Sequence, residues 1–134
     1  FLAQRLAPLD AGEGMAQLAP GLAAGMAARG APHDAVARAA LLMAAVPEAT
    51  YRNALAALVA FDRRALLPAL RLPVLCLVGA QDRNAPPVVM KQMADRIEGA
   101  EYRCLAGVGH LAQMEAPEVV NPVLVDFLQR RFAH

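Results

Sequence analysis

Asp82 in "VGAQDRNAPP" and His110 in "AGVGHLAQ" are the two residues of this 134-residue chain best placed to move a proton. Each follows directly on an apolar, strand-like run. In open sheets with parallel strands, ligands bind beyond the carboxyl ends of the strands, so two loops at such ends open on one edge. An Asp and a His there can meet. The carboxylate then accepts the imidazole Nδ1–H, fixes the tautomer and stabilises the imidazolium, while Nε2 takes a proton from a nucleophile. A serine nucleophile cannot come from this chain, which has no serine at all. Singly, an Asp after a strand is ordinarily a turn residue, and a lone His is ordinarily surface or satisfied core. Their joint placement is what sets them apart.

The other polar residues read more plainly. His33 beside Asp34 marks the start of a helix, with Asp34 as its cap. Glu115 and Glu118, on either side of Pro117, suit a helix N-terminus. His134 belongs to a frayed end. Met15, Met26 and Met43 read as packing residues. Cys76 and Cys104 each sit in an apolar run and read as two reduced core thiols, which points to a reducing cytoplasm. Two cysteines without further ligands at suitable spacing argue against a metal site. No cofactor is implied.

The elements that must hold Asp82 and His110 lie in the second half. "RLPVLCLVGA" is a continuous apolar run between Pro73 and Gly79, as a parallel strand buried on both faces requires. "PPVVMKQMADRIEG" predicts a helix with Val89, Met93 and Ile97 on one face and a proline in its first turn. "AEYRCLAG" predicts a second strand. A last helix is expected from about Pro117 to Phe132, with Val120, Leu124, Phe127 and Leu128 inward and a kink or restart at Pro122. The first half has no strand-like run. Three helices are expected there, over about 12–28, from Asp34 onward and over about 50–61, followed by a short turn in "DRRALLPAL". The fold class is therefore α/β, with residues 1–70 helical and residues 71–134 in strand–helix–strand–helix order. Two parallel strands leave a whole edge bare, so partner strands are expected from outside the chain.

Composition excludes other classes. Hydrophobic residues make up 57%, much of it alanine, and the net charge is +1 with no basic run. Few aromatics and scattered charge make nucleic acid a poor partner. The apolar runs are too short to span a bilayer, and no signal peptide opens the chain. A first residue of Phe implies a true start further upstream.

"LPVLCLVGAQDRNAPP" resembles the P-x-L-x-x-x-G-x-x-D-x-x-x-P segment of the α/β-hydrolase fold, and "AGVGHLAQMEAPEVVNPVLVDFL" resembles the G-H-x-x-x-x-E-x-P-E segment that closes the same family. The resemblance is strong over residues 70 to 132. Residues 1–70 are similar to the family's helical cap in type and position only. The resemblance implies that Asp82 is the acid and His110 the base of a catalytic triad. It also implies that the nucleophile, on a G-x-S-x-G elbow, and the oxyanion donors belong to an N-terminal half that would precede Phe1. That missing half would be this chain's partner, and a small molecule its substrate. "FDRRALLPALRLPVL" and the prolines after Asp82 are similar to enol-lactonases. The implied activity is hydrolysis of a small ester, lactone or activated carbonyl. Alternatives are C–C, C–halogen or epoxide cleavage, a cofactor-free haloperoxidase, and a non-catalytic binding protein of the same fold.

Overall fold

A computed structural model describes residues 1–132 and divides them into two compact units. The first comprises residues 1–25 and 33–62, and the second residues 26–32 together with 63 onward.

The first unit is helical, with α1 (Leu2–Asp10), α2 (Met15–Met26, its last residue in the second unit), α3 (His33–Ala44) and α4 (Glu48–Ala60). Its core gathers Leu9, Met15 and Leu18, with Leu6, Leu22 and Tyr51 packed against them. Arg52 on α4 donates to Asp10 at 2.7 Å and to Glu48 at 2.8 Å, fixing α4 against the end of α1. Helix α1 has no counterpart among the three expected, because Pro8 in "LAQRLAPLD" interrupts its pattern. Asp34 lies inside the first turn of α3 rather than capping it, since the helix already begins at His33. On α4, Leu55 is buried while Leu58 and Val59 are exposed.

The second unit opens with the segment 26–32. After a 3₁₀ turn (Arg64–Ala69) come β1 (Leu75–Gly79), α5 (Pro87–Ala94), β2 (Glu101–Leu105), α6 (Ala112–Glu115) and α7 (Pro117–Phe132). The strands pair in parallel, with Leu75 opposite Glu101 and Gly79 opposite Leu105. The ladder extends by Glu101 N–H to Val74 O (2.9 Å) and Ala80 N–H to Leu105 O (2.8 Å). Pro87 opens α5, where a missing N–H costs nothing. Leu105, Val108, Ala112 and Val120 form the core, with Leu77, Ala116 and Val123 against it. Glu101 accepts bonds from Arg130 and Arg131, which tie the end of α7 to the start of β2 and hold its carboxyl down at about 2.

Several expectations change here. Cys76 is buried, but Cys104 is exposed: Arg103 and Cys104 point to opposite faces of β2, and both are exposed there. The expected pair of core thiols is thus one core thiol and one surface thiol, both free. Helix α7 runs through Pro122 as one element; six residues in, the proline removes a single hydrogen bond. Leu124, Leu128 and Val89 are exposed, while Val120, Phe127 and Ile97 are buried as expected. His134 lies outside the described residues. No helix among the described residues is long and apolar enough to cross a membrane.

Candidate active site

The loop after β1 turns tightly, with Asp82 N–H donating to Gly79 O at 3.0 Å. The Asp82 side chain then folds back on its own loop. Its Oδ1 accepts the N–H groups of Asn84 (2.8 Å) and Ala85 (2.9 Å), an Asx-type turn that fixes the carboxylate plane. Its Oδ2 is left for one partner, the Nδ1 of His110, at 2.8 Å.

His110 arrives from the other strand. β2 ends at Leu105, and Gly107 reverses the chain with φ of 75°, a conformation that suits glycine. The loop then lies against the end of β1. A Cβ on Gly79 would sit 2.3 Å from the carbonyl oxygens of Val108 and Gly109, so only glycine lets the loops approach this closely. Gln81 N–H donates to Val108 O at 2.8 Å. The structure therefore brings Asp82 and His110 together, as their strand-end positions predict.

The environment is asymmetric. The Asp82 side chain is 6% exposed and that of His110 is 36% exposed. Burial pushes the Asp82 carboxyl up. The N–H of Ala85, the imidazole of His110 and the N–H of Asn84 together outweigh it and hold the carboxyl below its usual range. An ionised Asp82 receiving Nδ1–H leaves the Nε2 lone pair of His110 available to accept a proton.

Sequence reasoning missed the polar frame around this pair. Glu115 is buried, and its carboxylate accepts the N–H groups of Ala28, Gly109 and Leu111. The segment Met26–Arg29 runs alongside, with His110 N–H on Met26 O at 2.9 Å. The available signal for Glu115 was its place as the first Glu of the G-H-x-x-x-x-E-x-P-E segment, five residues after His110. "MAAR" carries no signal. Among the described residues, no group of three or more His, Cys, Asp or Glu could hold a metal ion.

No family model matches the chain. Among solved structures it is similar to a thermophilic esterase from Thermogutta terrifontis, at 28% identity and a TM-score of 0.80 over 96% of this chain. It is also similar to the enol-lactonase from Burkholderia xenovorans LB400, at 25% identity and a TM-score of 0.78 over 87% of this chain. A bromoperoxidase from Bacillus anthracis shares the fold at 18% identity, with a TM-score of 0.77. The chain spans 47%, 46% and 44% of these three proteins, about half of each. A 72-residue stretch is 36% identical to part of the polyketide synthase ThaQ of Burkholderia thailandensis, of which it covers 4%.

Proposed function

Starting from an α/β-hydrolase fold of which this chain spans about half, we propose that it supplies the acid and base of a hydrolase acting on a small ester, lactone or activated carbonyl. The observation that carries the reading is the 2.8 Å contact between Asp82 Oδ2 and His110 Nδ1 at the ends of adjacent parallel strands. The likeness to an esterase and an enol-lactonase favours the carbonyl substrate class. In this reading the nucleophile lies on a segment preceding Phe1, together with the oxyanion donors and the remaining strands of the sheet. Those strands would pair with the open edge of the two-stranded sheet. Residues 1–70 would act as the cap and residues 71–134 as the last part of the core. The free thiols of Cys76 and Cys104 favour a cytoplasmic setting.

The reaction would run in two proton-balanced halves. His110 Nε2 takes the proton of the nucleophile as it attacks the carbonyl carbon. Asp82 stabilises the imidazolium that forms. The same proton passes to the leaving oxygen as the tetrahedral intermediate collapses. Water repeats the sequence on the acyl-enzyme and releases the acid.

The test uses the whole protein and this chain side by side on p-nitrophenyl acetate, an enol-lactone, a haloalkane and an epoxide. Whole protein should turn over the ester or lactone, and lose that activity on His110→Ala. The isolated 134-residue chain should be no better than free imidazole, because it lacks both nucleophile and oxyanion hole. Ester turnover by the isolated chain well above imidazole, free of contaminating esterase, overturns the reading. Turnover of only the haloalkane or epoxide moves the chemistry to the alternative class.

A further inference from the structure

The buried carboxylate of Glu115 takes no part in the proton transfers proposed above, yet it holds the loop that carries the base. It is 6% exposed and closes the short helix α6. Its Oε2 accepts N–H bonds from Ala28 at 2.9 Å and Gly109 at 3.0 Å. Its Oε1 accepts from Leu111 at 3.0 Å. Gly109 and Leu111 are the two chain neighbours of His110. The approach is close enough that a Cβ on Gly109 would fall 2.8 Å from Glu115 Oε1 and 2.4 Å from Ala28 N.

The segment Met26–Arg29 reaches the other loop as well. Arg29 N–H donates to Gln81 Oε1 at 2.8 Å, and Arg83 donates to Ala27 O at 3.2 Å. Gln81 and Arg83 are the chain neighbours of Asp82. Both members of the pair thus have their neighbours on either side anchored, directly or through Glu115, to one four-residue strap.

We infer that Glu115 is the positioning residue of the Asp82–His110 pair, clamping the His110 loop to the strap Met26–Arg29 so that Nδ1 meets Oδ2. This rests on the catalytic reading above. Three N–H donors converge on two oxygens, and a carboxylate is the side chain that only accepts. Glutamine in the same place presents a donor on one side. Its best orientation keeps the oxygen on Ala28 and Gly109 and turns the amide nitrogen on the Leu111 N–H, which frees the residue after His110. Aspartate keeps the charge but is one methylene too short to reach all three.

The experiment measures Glu115→Gln and Glu115→Asp in the whole enzyme, with His110→Ala and Asp82→Asn as controls. The readouts are kcat, KM, thermal unfolding and the low-field proton resonance of His110 Nδ1–H. Both Glu115 variants should lose about 10- to 100-fold in kcat, the scale of a small misplacement, with KM within about threefold. The resonance should shift or broaden in both. Wild-type kcat and an unchanged resonance in the folded variants, even with lowered thermal stability, overturn the inference. If neither variant folds, amide hydrogen exchange in the wild type decides. Slow exchange at Ala28, Gly109 and Leu111 supports the clamp, and exchange as fast as in a free chain overturns it. Activity surviving in both controls instead refutes the catalytic reading, while the resonance still reports on the clamp.

Discussion

Asp82→Asn separates the base's tautomer from the fold that surrounds it. Both backbone N–H bonds to Asp82 end on Oδ1, at 2.8 and 2.9 Å. An asparagine therefore keeps its carbonyl oxygen there, and its NH2 takes the place of Oδ2, facing His110 Nδ1 at about the present 2.8 Å. Two donors cannot share that contact. The imidazole must offer the Nδ1 lone pair, and its proton moves to Nε2, where it blocks base catalysis. The analogous change in a serine protease costs about 10⁴ in kcat, equivalent to about 5.5 kcal/mol of barrier. The folding cost is smaller, about 1–3 kcal/mol for a weakened charged hydrogen bond. The expected signature is a loss of at least about 10²-fold in kcat, with a modest fall in Tm. Stopped-flow or steady-state hydrolysis by the whole enzyme, beside a denaturation curve, measures both. An Asp82→Asn enzyme within threefold of wild type, when His110→Ala is inactive, would refute the tautomer argument.

Other measurements test the surroundings. The Asp82 carboxyl lies below its usual range in the folded state, so its stabilisation is present above the unfolded value and is lost as pH falls through the folded one. The stability gap between wild type and Asp82→Asn should be widest near neutrality and shrink below about pH 4; a gap that widens with acid contradicts this. Native thiol labelling followed by mass mapping should modify Cys104 and spare Cys76, which is buried and whose thiol is pushed up by that burial. Equal labelling rates would contradict the placement of β2. Gly79→Ala should destabilise by about 1–3 kcal/mol, because its Cβ meets backbone oxygens that cannot swing aside. A loss below about 0.5 kcal/mol in urea would mean that the His110 loop yields freely.

The strands and the pair at their ends were legible because each rests on a local pattern. β1 announces itself as an unbroken apolar run, and the strand-end rule picks out Asp82 and His110 without knowledge of distant residues. The motif resemblance then extends to the α/β-hydrolase fold seen in the solved relatives. What escaped was either weakly patterned or long-range. Helix α1 is only nine residues long and contains a proline. Cys104 follows Glu101, Tyr102 and Arg103 in a strand of mixed polarity, and alternation over five residues is too short to show which face is covered. Glu115 has the local pattern of a helix start, and its role as an acceptor is hidden from that pattern because one of its donors, Ala28, lies 87 residues away.

The strap Met26–Arg29 touches the two loops mainly through main-chain atoms: the carbonyls of Met26 and Ala27 and the N–H groups of Ala28 and Arg29. Every amino acid but proline offers the same groups at positions 28 and 29. The exposed Arg29 side chain is free to drift over evolutionary time while the Asp82–His110 contact is retained, whereas Ala27 and Ala28 are buried and hold to small residues. The chain also crosses between its units three times, after residues 25, 32 and 62. Recombination that exchanged residues 1–62 as a block would carry the strap away with the helices, whereas exchanges confined to 1–25 and 33–62 would vary the helical unit and leave the anchoring of the Asp82 and His110 loops inherited intact.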